Sequence, residues 1–127
     1  MTTESINRVK HRTATIISDI TFYASLINLH TDMCVFVNDH GHVGQLEVRM
    51  CESKSRYNEE RTTDSVYYQN TREFNVHSAE QADKKLTNIK MVLKKILHDN
   101  KIDVSGLDYD ERTVVHRDYK LSGGWLP

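Results

Sequence analysis

Between residues 4 and 29, the apolar groups Ile6, Val9, Ile16, Ile17, Ile20, Tyr23, Ala24 and Ile27 recur at steps of three and four. That period places them on one side of an α-helix. The β-branched content of Thr13 to Thr21 lowers helix propensity and makes a strand the competing reading. The length and regularity of the stripe decide for the helix. Phe22, Leu26 and Leu29 follow a helical spacing of their own on the opposite side. A helix that is apolar on both sides has to be covered on both sides, and one sheet covers only one of them. Burying these three side chains is worth roughly 1.5–3 kcal/mol each. The spacing therefore predicts a second cover, most simply another copy of the chain.

The next segments change period. Met33–Asn38 and Val43–Cys51 alternate in steps of two around the polar turn Asp39-His40-Gly41-His42, the pattern of a β-hairpin with a glycine free to take positive φ. Met33, Val35, Val37, Leu46, Val48 and Met50 then share one apolar side, with Cys34, Phe36, Gln45, Glu47, Arg49 and Cys51 on the wetter one. Residues 52–64 have no apolar period and predict a mobile loop or an extended hairpin tip. Val66–Val76 is the third strand candidate, with Val66, Tyr68, Phe74 and Val76 inward, interrupted at Asn70 and Arg72. Ser78 and Gln81 have capping-box spacing. After them, Ala82, Leu86, Ile89, Leu93, Ile96 and Leu97 form a stripe roughly 100° wide, as an amphipathic core helix requires. That helix should end near Asn100, a residue that tolerates left-handed backbone. Val115, Tyr119 and Leu121 suggest a last strand within 113–121, and residues 122–127 read as a flexible tail carrying Trp125 as an apolar anchor. The expected fold is α+β in the order α-β-β-β-α-β. It has an antiparallel sheet of three to four strands and two helices packed on one face.

Length and punctuation argue for one unit. The chain has 127 residues, its one proline is the last residue, and only five glycines interrupt it. A single domain spanning 1–127 is the expectation. Seventeen basic against eighteen acidic residues, with a mean hydropathy of −0.61, disfavour a generally basic nucleic-acid or membrane-surface binder. No apolar run is long enough to span a membrane. Cys34 and Cys51 form no C-x-x-C pair, and the start MTTESINRVKHR lacks the layout of a secretory signal. Reduced thiols in a cytoplasmic setting are expected.

Few motifs carry chemistry. Asp39, His40 and His42 are metal-ligand types, but a turn selects Asp, Gly and polar residues for backbone reasons alone, so a structural role is the expectation and no metal or cofactor is predicted. His11-Arg12-Thr13 has the H-x-T pattern used in paired-histidine phosphodiesterase sites, but such a site needs two copies and the chain has no second H-x-S or H-x-T, so catalysis by this route is not expected. Asp103, Asp108, Asp110 and Glu111 fail the calcium-loop spacing, because Gly106 follows Asp103 by only three residues. Phosphate loops, dinucleotide fingerprints, nucleophile elbows and zincin motifs are absent, so no catalytic residue is expected.

Two surfaces remain. On the second helix Lys84, Lys90, Lys94, Lys95, His98 and Lys101 lie off the apolar stripe with Met91 among them, an anion-facing surface or a solvated helix face. Arg49, Arg56, Tyr57, Arg61, Tyr67 and Arg72 are types enriched at interfaces, with a charge-balanced loop as the equal alternative. The acidic residues interleaved with them favour a protein partner over nucleic acid. The expected function is a non-enzymatic, homo-oligomeric interaction protein that binds another protein, with Phe22, Leu26, Leu29 and Trp125 at the oligomer interface. The alternative is a small module binding a nucleotide or nucleic acid through its Lys, Arg and Tyr side chains. In size and composition alone, the chain is similar to many small accessory proteins of bacteriophages and mobile elements, which implies an inhibitor or adaptor acting on a host protein.

Overall fold

The computed structural model describes residues 3–58, 62–69, 74–104, 120–121 and 124–125. Helix α1 (Thr3–His30) leads into strands β1 (Cys34–His40) and β2 (Gln45–Cys51), a 3-10 turn at Lys54–Arg56, strand β3 (Thr62–Tyr67) and helix α2 (Val76–Asp99). The strands form one antiparallel sheet in the order β1-β2-β3. The fold is α+β, as the periods predict.

The inward face of the sheet has the expected composition. Val35, Leu46, Val48 and Val66 are buried against Ile16, Ile20, Ala24 and Ile27 of α1 and Ala82, Leu86, Ile89, Leu93 and Leu97 of α2. Met33, Val37 and Met50 pack around them half-buried. Both helices therefore lie on the same face of the sheet.

Polar contacts fix how the helices lie. Arg12 Nε donates to Asp83 Oδ2 at 2.8 Å, and Lys90 Nζ donates to Asp19 Oδ2 at 2.8 Å. Each partner advances seven residues between the two pairs, so α1 and α2 run parallel. Asp83 is buried, and its other oxygen accepts from Thr13 Oγ1 at 2.6 Å. A buried carboxylate is tolerable only with partners of this kind.

Several boundaries differ from expectation. The third strand is Thr62–Tyr67, not Val66–Val76, and it takes in the end of the segment read as a loop. Its register against β2 (Leu46 with Val66, Val48 with Asp64) defines it rather than an apolar period of its own. Phe74 lies outside any strand, with Lys10 Nζ 5.1 Å from its ring centroid. The α2 cap is Asn75, whose side chain accepts from Ser78 N at 2.9 Å, and Gln81 turns to His77 instead of closing a capping box. Starting there gives the helix an extra turn. At the other end, Asn100 keeps a right-handed φ of −94°, and Lys101 takes the positive φ of 58°. In the hairpin the positive φ of 63° falls on Gly44, not Gly41. The Gly44 carbonyl accepts from Tyr68 N and Gln69 N, so the chain there passes too close for a side chain. Short strands β4 (Lys120–Leu121) and β5 (Gly124–Trp125) pair with each other as a separate ladder and do not extend the sheet. Most of the expected last strand and tail, with Arg61 and Arg72, lies outside the described residues.

Candidate functional site

Among the described residues, the outer face of α1 departs from an ordinary charged, solvated helix face. Thr15, Ser18, Phe22, Ser25 and Leu29 succeed one another at steps of three and four on the side away from the core. Thr15, Ser18 and Ser25 are exposed and Phe22 is half-buried, its ring centroid 6.0 Å from that of Tyr23. Leu29 is 79% exposed. Thr15, Thr21 and Ser25 hydroxyls donate back to the carbonyls of His11, Ile17 and Thr21, so the hydroxyl groups are partly spent within the helix. From Thr13 to Thr31 only Asp19 has a formal charge, in a chain that is 28% charged. Asp19 faces α2, where it holds the Lys90 ammonium and raises its pKa. Depletion of charge on an exposed helix flank is characteristic of the buried centre of an interface.

Leu26 does not join that surface fully. It packs half-buried against the core of its own fold, which covers part of the second apolar flank without any partner. Trp125 lies in β5 opposite Lys120, far along the chain from α1.

The basic face of α2 is thinner than its sequence suggests. Lys90 is turned into the seam between the helices, and Lys95 Nζ donates to Asp99 Oδ2 at 2.9 Å, which lowers the Asp99 pKa. Lys84 and Lys94 are exposed, and Met91 is 54% exposed between them. Lys94, His98 and Lys101 border a shallow hollow closed by Ile102, Asp103 and Val104. It sits at the C-terminal end of α2, where backbone carbonyls already favour cations.

The Arg and Tyr group is dispersed. Arg49 stacks on Phe36, its cross-strand partner, with the guanidinium carbon 4.9 Å from the ring centroid. Arg49 Nε is shielded from solvent, makes no hydrogen bond and has Glu47 Oε1 at 3.5 Å, an ionic contact only. This arginine is engaged within the sheet. Arg56 and Tyr57 are exposed beside the 3-10 turn, and Tyr57 O accepts from the buried Cys51 thiol at 3.3 Å. Tyr67 is 53% exposed on the open face of β3.

One polar pair has no local signature in the sequence. Tyr68 Oη donates to Asp39 Oδ1 at 2.6 Å, reaching across the inner face from the end of β3 to β1. Burial first, then the hydrogen bond and charge of Asp39, push the Tyr68 phenol up to about 12. The two residues are 29 positions apart, and no local pattern links them. In the His11-Arg12-Thr13 segment, Arg12 and Thr13 are both committed to Asp83. Among the described residues, no group of three or more His, Cys, Asp or Glu is placed to hold a metal, and no helix is long and apolar enough to cross a membrane. Neither a protein family, nor a curated protein, nor a solved structure matches the chain.

Proposed function

We propose that the chain is a non-enzymatic interaction protein, a small inhibitor or adaptor that acts by occupying a surface of another protein. The observation that carries this reading is the outer face of α1, where Phe22 and the 79% exposed Leu29 stand in a stretch whose one formal charge is consumed internally. Such a flank gains by exclusion of water and offers no charge that a partner would have to desolvate. Its hydroxyl groups keep it soluble while unoccupied. The anion-binding alternative rests on Lys84 and Lys94 beside Met91, two exposed cations without the forked geometry that fixes a phosphate.

The test is capture from the cells that make the protein, comparing the wild type with Phe22→Glu and Leu29→Glu. A protein retained by the wild type and lost by both variants supports the reading. An identical set retained by all three overturns it. A salt titration with labelled oligonucleotide addresses the alternative, since phosphate contacts require binding to weaken steeply as salt rises.

A further inference from the structure

The two edges of the sheet are treated differently. At β1, the Val35 N–H and C=O are both taken by the Asn28 side chain of α1, and the Thr31 hydroxyl accepts from Met33 N. Because the backbone at Val35 points away from β2, the antiparallel alternation turns Leu46, Val48 and Met50 toward β3. The N–H and C=O groups of their partners Thr62, Asp64 and Val66 point back toward β2, and those of Thr63, Ser65 and Tyr67 point away from it, out of the sheet edge. Among the described residues no strand lies beyond β3. Alongside this edge, between the sheet and α2, runs a cleft of about 390 Å³. Val48, Val66, Ile89 and Val92 make its apolar lining, with Asp64 on the strand wall and Lys85 on the helix wall. Val92 is 47% exposed there.

We infer that β3 is the site at which a second copy of this chain adds, edge to edge, to make a continuous six-stranded sheet. An antiparallel β3 pair about a two-fold axis at Ser65 places Ser65 opposite itself and Thr63 opposite Tyr67. Roughly six main-chain hydrogen bonds then join the outward groups. On the inner face, Asp64 of each copy stands opposite Val66 of the other. A charge pointing inward from an edge strand ordinarily deters strand addition. Here each incoming Asp64 enters the cleft walled by its mate's Lys85, so the same charge that repels other strands is complementary to this one. The clefts of the two copies merge, and the two Val92 side chains are brought toward a shared apolar seam. The inference is independent of the outer face of α1, which lies on the far side of the helical layer.

Sedimentation velocity and hydrogen exchange on the full chain test it. The wild type should dimerise over the micromolar range, with protection of the Thr63, Ser65 and Tyr67 amides rising with concentration. Ser65→Pro removes an outward donor while sparing the β2–β3 ladder, and should sediment as a monomer with an unchanged helical circular dichroism signal. Should that variant not fold, charge reversal decides. Asp64→Lys and Lys85→Asp should each weaken dimerisation by about tenfold, and the double variant should recover it. Leu29→Glu should leave the dimer intact, which separates this outcome from that of the proposed α1 contact. A wild type that stays monomeric through the micromolar range overturns the inference. So does a dimer indifferent to both Ser65→Pro and Asp64→Lys, or one that dissociates with Leu29→Glu.

Discussion

Asn28 holds Val35 by both of its backbone polar groups: its Nδ2 donates to the Val35 carbonyl at 2.9 Å, and its Oδ1 accepts from the Val35 N–H at 2.7 Å. One side-chain amide thus stands in for a neighbouring strand. Asn28→Ala should cost about 1–3 kcal/mol in chemical denaturation, the penalty for leaving a shielded donor and acceptor unpaired. In the same variant the Val35 amide should lose protection from hydrogen exchange while those of α2 keep theirs. Asn28→Asp keeps the acceptor and loses the donor, so an intermediate loss is expected.

The Asp83 carboxylate is the buried polar node between the helices. Asp83→Ala should destabilise by about 1–3 kcal/mol, because the Thr13 hydroxyl loses its acceptor away from water. Arg12→Ala should cost less, since half of the Arg12 side chain is already exposed and its partner keeps the Thr13 bond. Equal losses for the two variants, measured by urea denaturation, would contradict this ordering.

Tyr68 should titrate late. With its phenol pushed up to about 12, absorbance at alkaline pH should show one tyrosine whose ionisation midpoint lies well above the ordinary phenol value of about 10. The folded pKa is above the unfolded one. The associated stability is therefore complete below pH 10 and is lost as pH rises from about 10 to about 12. Tyr68→Phe should remove that window. Asp39→Asn should narrow it without abolishing it, because burial is the larger cause.

Gly44 and Gly41 sit in one hairpin turn with opposite tolerance. A Cβ at Gly44 would run into the Gln69 carbonyl and would also have to occupy a φ of 63°, whereas a Cβ at Gly41 meets nothing within 4 Å. Gly44→Ala should cost more than about 2 kcal/mol, and Gly41→Ala less than about 0.5 kcal/mol, in thermal or chemical unfolding.

The elements legible in the sequence were those with a long apolar period. Ile16, Ile20, Ala24 and Ile27 on α1 and Leu86, Leu93 and Leu97 on α2 announce their buried faces by spacing alone, and Val35, Leu46 and Val48 do so by alternation. β3 is not legible from an apolar period because its inward positions include Asp64, polar where a core strand would be apolar, so its register against β2 defines it. Asn75 displaced Ser78 as the cap because several residues at that end can accept from the backbone, and only the chain path decides among them. By spacing Lys90 belongs to the outward basic face of α2. Its angle on the helix in fact brings it beside Asp19, a partner 71 residues away that no local window contains. Leu29 lies on the flank opposite the core, where its spacing puts it, whereas Leu26 finds cover within its own fold.

The order of signs along the helix seam has a consequence for how the chain chooses its packing. Arg12 meets Asp83, and one heptad later Asp19 meets Lys90. Shifting α2 by a heptad in one direction sets Arg12 against Lys90, and in the other it sets Asp19 against Asp83. Either misalignment would preserve much of the greasy contact while forcing two equal charges together. The alternating signs thus act as a vernier, admitting one axial setting among several that hydrophobicity alone would accept.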